Sequence, residues 1–424
     1  MAEKYRSITG TRDVLPEEQS YWRFIESKIE KIARLYALER VDPPVFEETR
    51  LFIRGVGENT DIVEKEMYTF LDRGKRSLTL RPEFTAGVIR LYLQNGLHMR
   101  PKPVKLYSVG PIFRYERPQA GRYRQHTQFN VEMLGESDPA VDFEVMSIAR
   151  HLYQELGFQG LKFQLNSTGC PVCRPAYVAA LRLHYQNREN EICADCRRRL
   201  ERNALRLLDC KVESCQPVIA AAPVIHEHLC TECRDHFALL RRFLDLAGYD
   251  YDINSKLVRG LDYYTKTVFE VWVQGIGAQN AMCGGGRYDG LVELLGGEPT
   301  PGIGFGSGIE RILLSMKEQG LAVEPNPPPD VYLAHRGDEA GARAVQLSAR
   351  LRRSGISAWL AFGERSFKSQ LREANRQGVR YVLILGEDEV RANRIALKDL
   401  SGGGQFEVEL DRIEQVVKEK LAHE

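Results

Sequence analysis

Apolar and polar residues alternate along the stretch Gly110–Gly135, which predicts two antiparallel strands joined by a loop. The first strand should end at Phe113–Arg114. In the second strand every other residue is apolar, so one face should pack on a hydrophobic core. The opposite, polar face carries His126, Gln128, Asn130 and Glu132. This face offers amides and a carboxylate to a ligand.

The loop between these two strands is rich in arginine. It carries Arg117, Arg122 and Arg124, with only Glu116 opposing them. Because a planar guanidinium binds phosphate oxygens in a bidentate manner, such a loop suits phosphate groups. A basic hairpin exposed to solvent would show the same composition, so the loop alone does not decide between the two interpretations.

Helical spacing of apolar residues predicts a helix from Glu17 to Leu38 and another across Asp142–Leu156. A further helix should begin at about Thr85, where a proline breaks the preceding strand. Glu83 and Thr85 stand at that junction. A carboxylate and a hydroxyl in this position either cap the helix or bind an ammonium group.

The stretch Leu257–Val273 is β-branched and aromatic, which is typical of a strand. The glycine-rich run Gly302–Gly308 predicts another strand that leads into a helix, and these glycines would let a flat adenine approach the backbone. Arg311 should lie in the first turn of that helix, where unpaired N–H groups and the helix dipole favour an anion.

Residues 168–248 differ from the rest of the chain and read as an inserted, mostly helical domain. This segment contains eight of the nine cysteines and little strand pattern. The eight form three C-x-x-C pairs and one wider pair: Cys170 and Cys173, Cys193 and Cys196, Cys210 and Cys215, Cys230 and Cys233. Such spacing is typical of structural zinc ligands, and eight thiols could complete two four-coordinate sites. Reduced thiols without metal are the alternative, and spacing does not reveal which cysteines would share an ion.

A proline-rich linker at 326–329 divides the chain into a larger domain, 1–325, and a smaller one, 330–424. The larger domain is the one that the segment 168–248 interrupts. Beyond the linker, strand-like runs alternate with helical runs, and this alternation predicts a small α/β domain.

Composition narrows the class of protein without identifying a partner. The chain has 424 residues, enough for two or three domains, and a net charge of +1, so any contact with RNA must rely on local patches. We expect no membrane span, because no run of about 20 apolar residues occurs. Nine cysteines without an export signal indicate the reducing cytoplasm. The G-x-x-x-x-G-K-[ST], G-x-G-x-x-G and G-x-S-x-G signatures are absent, so a phosphate site must be built from arginines.

Taken together, these motifs resemble those of class II aminoacyl-tRNA synthetases, in particular the histidyl-tRNA synthetases of bacterial type. FRYERPQAGRYRQ resembles motif 2, VDPPVFEETRLF resembles motif 1, and GIGFGSGIERILL resembles motif 3. RPEFT is similar to the family's RPE-x-T element, and RGLDYY to the motif peculiar to the histidyl enzymes. The resemblance implies an α+β fold: an antiparallel sheet of six to seven strands flanked by helices, a mostly helical insertion, and a C-terminal α/β anticodon-binding domain.

The same resemblance implies ATP-dependent ligation of L-histidine to its tRNA through a histidyl-adenylate, with Mg²⁺ on the ATP phosphates, by a homodimer. The implied catalytic residues are Arg259 and Arg114, with Arg259 supplying a fixed positive charge where other class II enzymes use a metal ion. The implied ATP-binding residues are Arg114, Glu116, Arg122 and Arg311. The implied histidine-binding residues are Glu83, Thr85, Gln128, Glu132, Tyr263, Tyr264 and Tyr288. Zinc is not settled by the resemblance, because the family's catalysis does not need it.

A regulatory paralogue that senses histidine without charging tRNA is the alternative function. Such paralogues typically lose the RGLDYY motif and the C-terminal domain, and this chain has both. The sequence therefore favours the enzyme.

Overall fold

The computed structural model describes residues 5–58, 60–273 and 281–422. The chain divides after Glu324 into two compact units. The helices of the first unit are α1 (Gln19–Leu35), α2 (Thr49–Val56), α3 (Thr85–Gln94), α4 (Pro139–Glu155), α5 (Arg174–Gln186), α6 (Ala194–Arg202), α7 (Gln216–Ala220), α8 (Thr231–Leu246), α9 (Leu291–Leu294) and α10 (Ile309–Glu318). Its strands are β1 (Glu39–Arg40), β2 (Phe46–Glu48), β3 (Tyr68–Leu71), β4 (Ser77–Leu80), β5 (Val104–Phe113), β6 (Gln125–Leu134), β7 (Leu161–Ser167), β8 (Tyr251–Ile253), β9 (Thr265–Val273), β10 (Ala281–Arg287) and β11 (Gly302–Gly308).

The first unit is built on a sheet in the order β1-β5-β6-β11-β10-β9-β7-β8. The six central strands pair antiparallel, which confirms the predicted fold class. Two short edge strands, β1 and β8, pair parallel with β5 and β7 and bring the sheet to eight strands. A separate sheet in the order β2-β4-β3 lies in the same unit. Strands this short have too few residues for an alternation of apolar and polar side chains to be recognised in the sequence.

The predicted alternation of β6 is confirmed by burial. Phe129, Val131 and Met133 belong to the main core, where they are packed with residues of α1, α4 and α10. From α1 the core receives Ile25 and Ile29, both almost wholly buried. Full burial of a side chain of this size contributes about 1.5–3 kcal/mol, so the apolar face fixes which side of β6 is left for polar residues.

A buried ion pair ties the sheet to two helices. Arg287 at the end of β10 is fully buried, and its guanidinium donates to both carboxylate oxygens of Asp142 in α4. His236 in α8 lies 3.1 Å from the same carboxylate. Helix α8 therefore packs on the main core. The segment 168–248 also has a hydrophobic core of its own, whose buried residues lie between Cys170 and Cys233.

The stretch Leu257–Val273 is only partly a strand, which corrects the prediction. Strand β9 begins at Thr265, and Leu257–Tyr264 is a loop. Both neighbours of β9 stop pairing near this point: β7 pairs as far as Thr267 and β10 as far as Thr265. Without a partner strand, aromatic and β-branched composition does not produce a strand.

The second unit contains the predicted alternation of strands and helices. Its elements are β12 (Val331–His335), α11 (Asp338–Arg353), β13 (Ala358–Leu360), α12 (Phe367–Arg376), β14 (Tyr381–Leu385), α13 (Glu387–Arg391), β15 (Arg394–Asp399), β16 (Gly404–Glu409) and α14 (Ile413–Ala422). The sheet order is β13-β12-β14-β15-β16, parallel among the first three strands and antiparallel thereafter. The sequence did not predict the hairpin of β15 and β16. In the described part of the chain, no helix has the length and apolar character needed to cross a membrane.

Candidate active site

The arginines singled out from the sequence surround one cavity of about 250 Å³ in the first unit. Arg114, Arg122, Arg259 and Arg311 all line it. Its other walls include Glu116, Tyr123, His126, Glu270, Cys283, Gly284, Gly306, Gly308 and Glu310. The predicted clustering of these arginines is therefore observed. Arg114 and Arg122 come from the connection between β5 and β6, Arg259 from the stretch that precedes β9, and Arg311 from α10.

Arg114 directly follows β5, and a hydrogen bond to the segment that precedes α3 holds its side chain. Its Nε donates to the carbonyl of Pro82 at 2.8 Å, directly beside Glu83. Glu116 lies between two arginines, 3.9 Å from Arg114 and 3.6 Å from Arg122. Arg122 and Arg114 thus share the negative charge of Glu116.

Arg311 lies in the first turn of α10, as predicted. It donates to the carbonyl of Ala281 at 2.7 Å. Burial and the nearby Arg122 lower its pKa, which is the signature of a cation crowded by like charge. Burial also lowers the pKa of His126 to about 4, helped by Arg114, so this ring stays neutral near pH 7. An anion entering the cavity would relieve the repulsion between the arginines.

A buried carboxylate forms the centre of the second half of the site. Glu132 on the polar face of β6 is 1% exposed. It accepts hydrogen bonds from Thr85 Oγ1 at 2.6 Å, from Asn130 Nδ2 at 3.1 Å and from the Tyr288 hydroxyl. Burial raises the pKa of Glu132 to about 7, even though these three hydrogen bonds favour its charged form.

Glu83 caps the start of α3 in this structure. Its two carboxylate oxygens accept the backbone N–H groups of Thr85 at 2.6 Å and of Ala86 at 2.8 Å. Burial raises the pKa of Glu83, although the capping bonds and Arg114 act in the opposite direction. A carboxylate oxygen accepts more than one hydrogen bond, so capping leaves room for an ammonium group as well.

Three predicted tyrosines meet beside these carboxylates. The ring centroids of Tyr263 and Tyr264 are 4.7 Å apart, and those of Tyr263 and Tyr288 are 5.7 Å apart. Burial raises the pKa of all three hydroxyls, so they are neutral donors at physiological pH. Gln128 connects the two halves of the site, because its side chain lies against Gly306, which lines the cavity.

The glycines of β10 and β11 make room for these side chains. A Cβ at Gly304 would lie 2.0 Å from Glu132 Oε2, and one at Gly306 would lie 2.6 Å from the Gln128 amide. A Cβ at Gly284 would lie 2.3 Å from the Arg259 guanidinium. Close approach of side chains is thus a reason for the glycine run that the sequence analysis missed. Close approach of adenine to the backbone of these glycines stays a prediction.

Sequence reasoning also missed His126, Asn130, Glu270 and Glu310 as members of the site. Both oxygens of Glu310 accept the backbone N–H of Thr127 at 2.9 Å and join α10 to β6. Two signals were present in the sequence: His126 and Asn130 share the polar face of β6, and Glu310 directly precedes Arg311. Glu270 is a single carboxylate in an otherwise apolar part of β9, which was a weaker signal.

The eight cysteines of the insertion form two groups of four thiols. Cys170, Cys173, Cys230 and Cys233 form one group, and Cys193, Cys196, Cys210 and Cys215 form the other. Within each group all sulfur atoms lie within 4.8 Å of one another. The second group is nested inside the first along the chain. All nine cysteines of the protein are free thiols.

The sequence profile of the histidyl-tRNA synthetase family matches residues 10–312, which include both halves of this site. The profile of the anticodon-binding domain matches residues 330–420. The chain belongs to the histidyl-tRNA synthetase family.

Curated relatives within this family match almost the whole chain. The histidine–tRNA ligase of Dehalococcoides mccartyi (strain 195) is 49% identical, over 98% of this chain and 100% of its own length. That of Pelotomaculum thermopropionicum is 48% identical, over 97% of each chain. Relatives of this kind come from bacteria, as the sequence analysis expected.

Solved structures of histidyl-tRNA synthetases have the same fold. The structure of the apo enzyme from S. aureus superimposes with a TM-score of 0.82 at 37% identity, covering 98% of this chain and 100% of that one. A Bacillus halodurans protein titled as an ATP phosphoribosyltransferase regulatory subunit/histidyl-tRNA synthetase gives a TM-score of 0.64 at 20% identity, covering 91% of this chain and 99% of that one. At that identity the likeness shows the fold alone.

Replacing Gly304 by alanine should disturb the site, because the new Cβ would collide with Glu132 and with the Val131 carbonyl at 2.3 Å. We expect Gly304→Ala to lower the free energy of unfolding by about 1–3 kcal/mol, measured by chemical denaturation. Gly308→Ala on the same strand is the matched control. Its Cβ would meet nothing closer than 3.9 Å, so stability should not change. Equal stability of the two variants would contradict the steric argument.

Proposed function

We propose that this chain ligates L-histidine to its tRNA in two steps at the site described above. A carboxylate oxygen of histidine attacks the α-phosphorus of ATP, and pyrophosphate leaves with the electrons of the broken P–O bond. A terminal hydroxyl of the tRNA then attacks the activated carbonyl, and AMP leaves. The observation that carries this proposal is the meeting of two halves at Gln128 and Gly306: a cavity lined by four arginines, and a buried polar pocket around Glu132.

The arginine cavity suits the triphosphate. We assign Arg114 to the α-phosphate, and Arg122 and Arg311 to the γ-phosphate side, with Glu116 ordering the loop. Negative charge grows on the α-phosphate oxygens as the adenylate forms, and fixed cations stabilise that charge most in the transition state. Arg259 is proposed as a second catalytic cation alongside Arg114, since both line the same cavity.

The polar pocket suits histidine. The substrate ammonium is assigned to Glu83, Thr85 and Gln128, and the imidazole to Glu132 and the tyrosines Tyr263, Tyr264 and Tyr288. An imidazole needs an acceptor for its N–H and a donor for its other nitrogen. Glu132 offers the acceptor and a tyrosine hydroxyl the donor. An amino acid without these groups would leave buried polar atoms unpaired, which disfavours its binding.

Mg²⁺ is proposed to enter with ATP as a phosphate-bound ion. The carboxylates of the cavity already have partners: Glu116 lies near two arginines, Glu270 pairs with Arg259, and Glu310 accepts from Thr127. Among the described residues, the side-chain groups arranged to bind a metal are the two cysteine groups. The ion would shield the phosphate charge, while the arginines orient the phosphates.

The full-length ligase relatives and the matched anticodon-binding domain favour the enzyme over a histidine-sensing regulator. We further propose a cytoplasmic location, supported by nine free thiols.

Histidine-dependent pyrophosphate exchange tests this function and separates the two halves of the site. Wild-type protein should exchange pyrophosphate into ATP with histidine and not with the other amino acids. Arg259→Ala should lower the rate of adenylation about 10²-fold or more, with a smaller effect on histidine binding, because a cation of the transition state is lost.

Glu132→Gln is the matched variant from the other half. It should raise the KM for histidine more than the KM for ATP, because it weakens the acceptor for the imidazole. Exchange at the wild-type rate by Arg259→Ala would refute its catalytic role. A Glu132→Gln defect confined to ATP would show that the two ligands are assigned to the wrong halves.

We also propose that each cysteine group binds one structural Zn²⁺. A Zn–S bond of about 2.3 Å in a tetrahedral site places the sulfur atoms about 3.8 Å apart. The Sγ–Sγ distances are 3.7 Å for Cys170–Cys173, 3.8 Å for Cys170–Cys230 and 3.8 Å for Cys173–Cys233. In the other group they are 3.9 Å for Cys193–Cys210 and 4.0 Å for Cys196–Cys215. These distances suit tetrahedral coordination and exceed a disulfide bond of about 2.05 Å.

Elemental analysis of protein purified without chelator should find about two zinc ions per chain, one for each group. Cys170→Ser and Cys193→Ser should each remove one ion. Cys283→Ser, which lies outside both groups, should keep both ions. Protein that contains no zinc, with all eight thiols titrating freely while folded, would exclude metal binding.

Finally, we propose a homodimer in which the sheet β2-β4-β3 contributes to the interface. This sheet contains the motif 1 segment and exposes several large apolar side chains. Phe46 is 50% exposed, Phe70 43% and Leu71 68%. Phe46 and Phe70 lie edge to face with centroids 6.3 Å apart. Phe46 and Phe70 thus form an exposed apolar pair on one face of the sheet, and exposed apolar surface of this kind is typical of a protein–protein interface.

Analytical ultracentrifugation should detect a dimer that Phe70→Glu shifts toward monomer, because a charge would be buried against apolar side chains. Leu246→Glu is the control, since Leu246 is 75% exposed on α8, away from this sheet. A monomeric wild-type protein, or equal effects of both substitutions, would rule out this interface.

A further inference from the structure

Arg259 needs support from outside its own segment. It belongs to the loop Leu257–Tyr264, so no strand pairing fixes its backbone. A long, flexible side chain on a loop loses entropy when it is held in one geometry, and a catalytic cation acts only when its position is fixed in advance. The neighbours of the guanidinium therefore determine how well it performs the role proposed above.

Glu270 of β9 holds the guanidinium, and Trp272 of the same strand holds Glu270. The guanidinium Nη1 donates to Glu270 Oε1 at 2.5 Å. The other oxygen of the same carboxylate, Oε2, accepts the indole N–H of Trp272 at 2.9 Å. Glu270 and Trp272 are two residues apart on one strand and so share a face. Both oxygens of Glu270 are engaged, one by the arginine and one by the indole.

The sheet completes this arrangement. Glu270 pairs across the β9–β10 ladder with Gly284, and the guanidinium of Arg259 lies over that glycine. Burial acts to lower the pKa of Arg259, but Tyr264 and Glu270 together raise it above its usual value, so the charge is retained. The carboxylate and the sheet thus define both the position and the charge of the guanidinium.

The Nε–H of Arg259 is a further donor, beside the bond that Nη1 makes to Glu270. Its Nε is buried and has no hydrogen-bond partner among the described residues. A buried N–H without an acceptor is unfavourable, and such a group in a native structure calls for an explanation. A guanidinium has five N–H donors, so the N–H groups that Glu270 does not hold can bind a phosphate oxygen in the cavity that Arg259 lines.

We propose that Glu270 is a positioning residue for Arg259 and that Trp272 orients Glu270. The carboxylate holds Nη1, the indole keeps the carboxylate from rotating, and the remaining N–H groups of the guanidinium are left for the substrate phosphate. This inference rests on the proposed role of Arg259 in adenylate formation.

The first test measures adenylation by Glu270→Gln, which keeps the shape of the side chain and removes its charge. The rate of adenylation should fall about 10- to 100-fold, because a displaced catalytic group loses its alignment with the reacting atoms. The KM values for histidine and ATP should change less than the rate. In an Arg259→Ala background, Glu270→Gln should cause no further loss, since Glu270 acts through Arg259.

Trp272→Phe gives an independent test that does not alter any residue of the cavity. It keeps an aromatic ring and removes the N–H bound to Glu270, so the rate should fall in the same direction by a smaller factor. Trp22→Phe is the matched control. The indole N–H of Trp22 is buried and has no hydrogen-bond partner in the described part of the chain, so the same substitution breaks no hydrogen bond seen there and should leave the rate unchanged.

The possible results separate this inference from the function beneath it. Arg259→Ala at the wild-type rate would refute the catalytic role itself. An inactive Arg259→Ala with a fully active Glu270→Gln would overturn only the positioning role. A full additional loss of rate from Glu270→Gln in the Arg259→Ala background would also overturn the positioning role. If that loss came with a raised Mg²⁺ requirement, Glu270 would act as a metal ligand. If Glu270→Gln does not fold, equal rates for Trp272→Phe and Trp22→Phe would overturn the proposal.

Discussion

The pairing of β6 with β11 is the constraint on which the rest of the site depends. Glu132 faces Gly304 in this ladder. Its buried carboxylate occupies the space that a Cβ at position 304 would take, so only glycine fits there. The apolar face of β6 is anchored in the main core, and a slip of one residue would turn Glu132 into that core. The same pairing carries β11 into α10 and so delivers Arg311 to the cavity.

The buried carboxylate of Glu132 and the arginines of the site lie in different surroundings. Around Glu132, burial without a nearby cation raises the pKa to about 7, and neutral hydroxyls and an amide supply the hydrogen bonds. In the adjoining cavity, four arginines crowd together and share a few carboxylates, Glu116 and Glu270 among them. A buried polar pocket and a cationic cavity thus lie side by side.

The insertion solves a different problem, that of holding a small domain together. Its own core is small: it buries apolar side chains such as Tyr177, Leu181 and Leu207, and the eight cysteines are packed among or against them. Small domains with limited cores commonly rely on metal ions or disulfides. Two ions at the nested cysteine groups would close two loops and connect the two ends of the insertion, at Cys170 and Cys233.

The sequence by itself determined the elements whose signal is local. Helix α1, the alternation of β6, the helix starts at Thr85 and near Arg311, and the set of candidate arginines and cysteines could all be predicted, because each depends on residues adjacent in the chain. Only the tertiary structure decided that Leu257–Tyr264 is a loop, that Cys170 and Cys230 belong to one group, and that Glu270 faces Arg259. Periodicity states which face a side chain occupies, whereas pairing and packing across the sheet decide what lies opposite it.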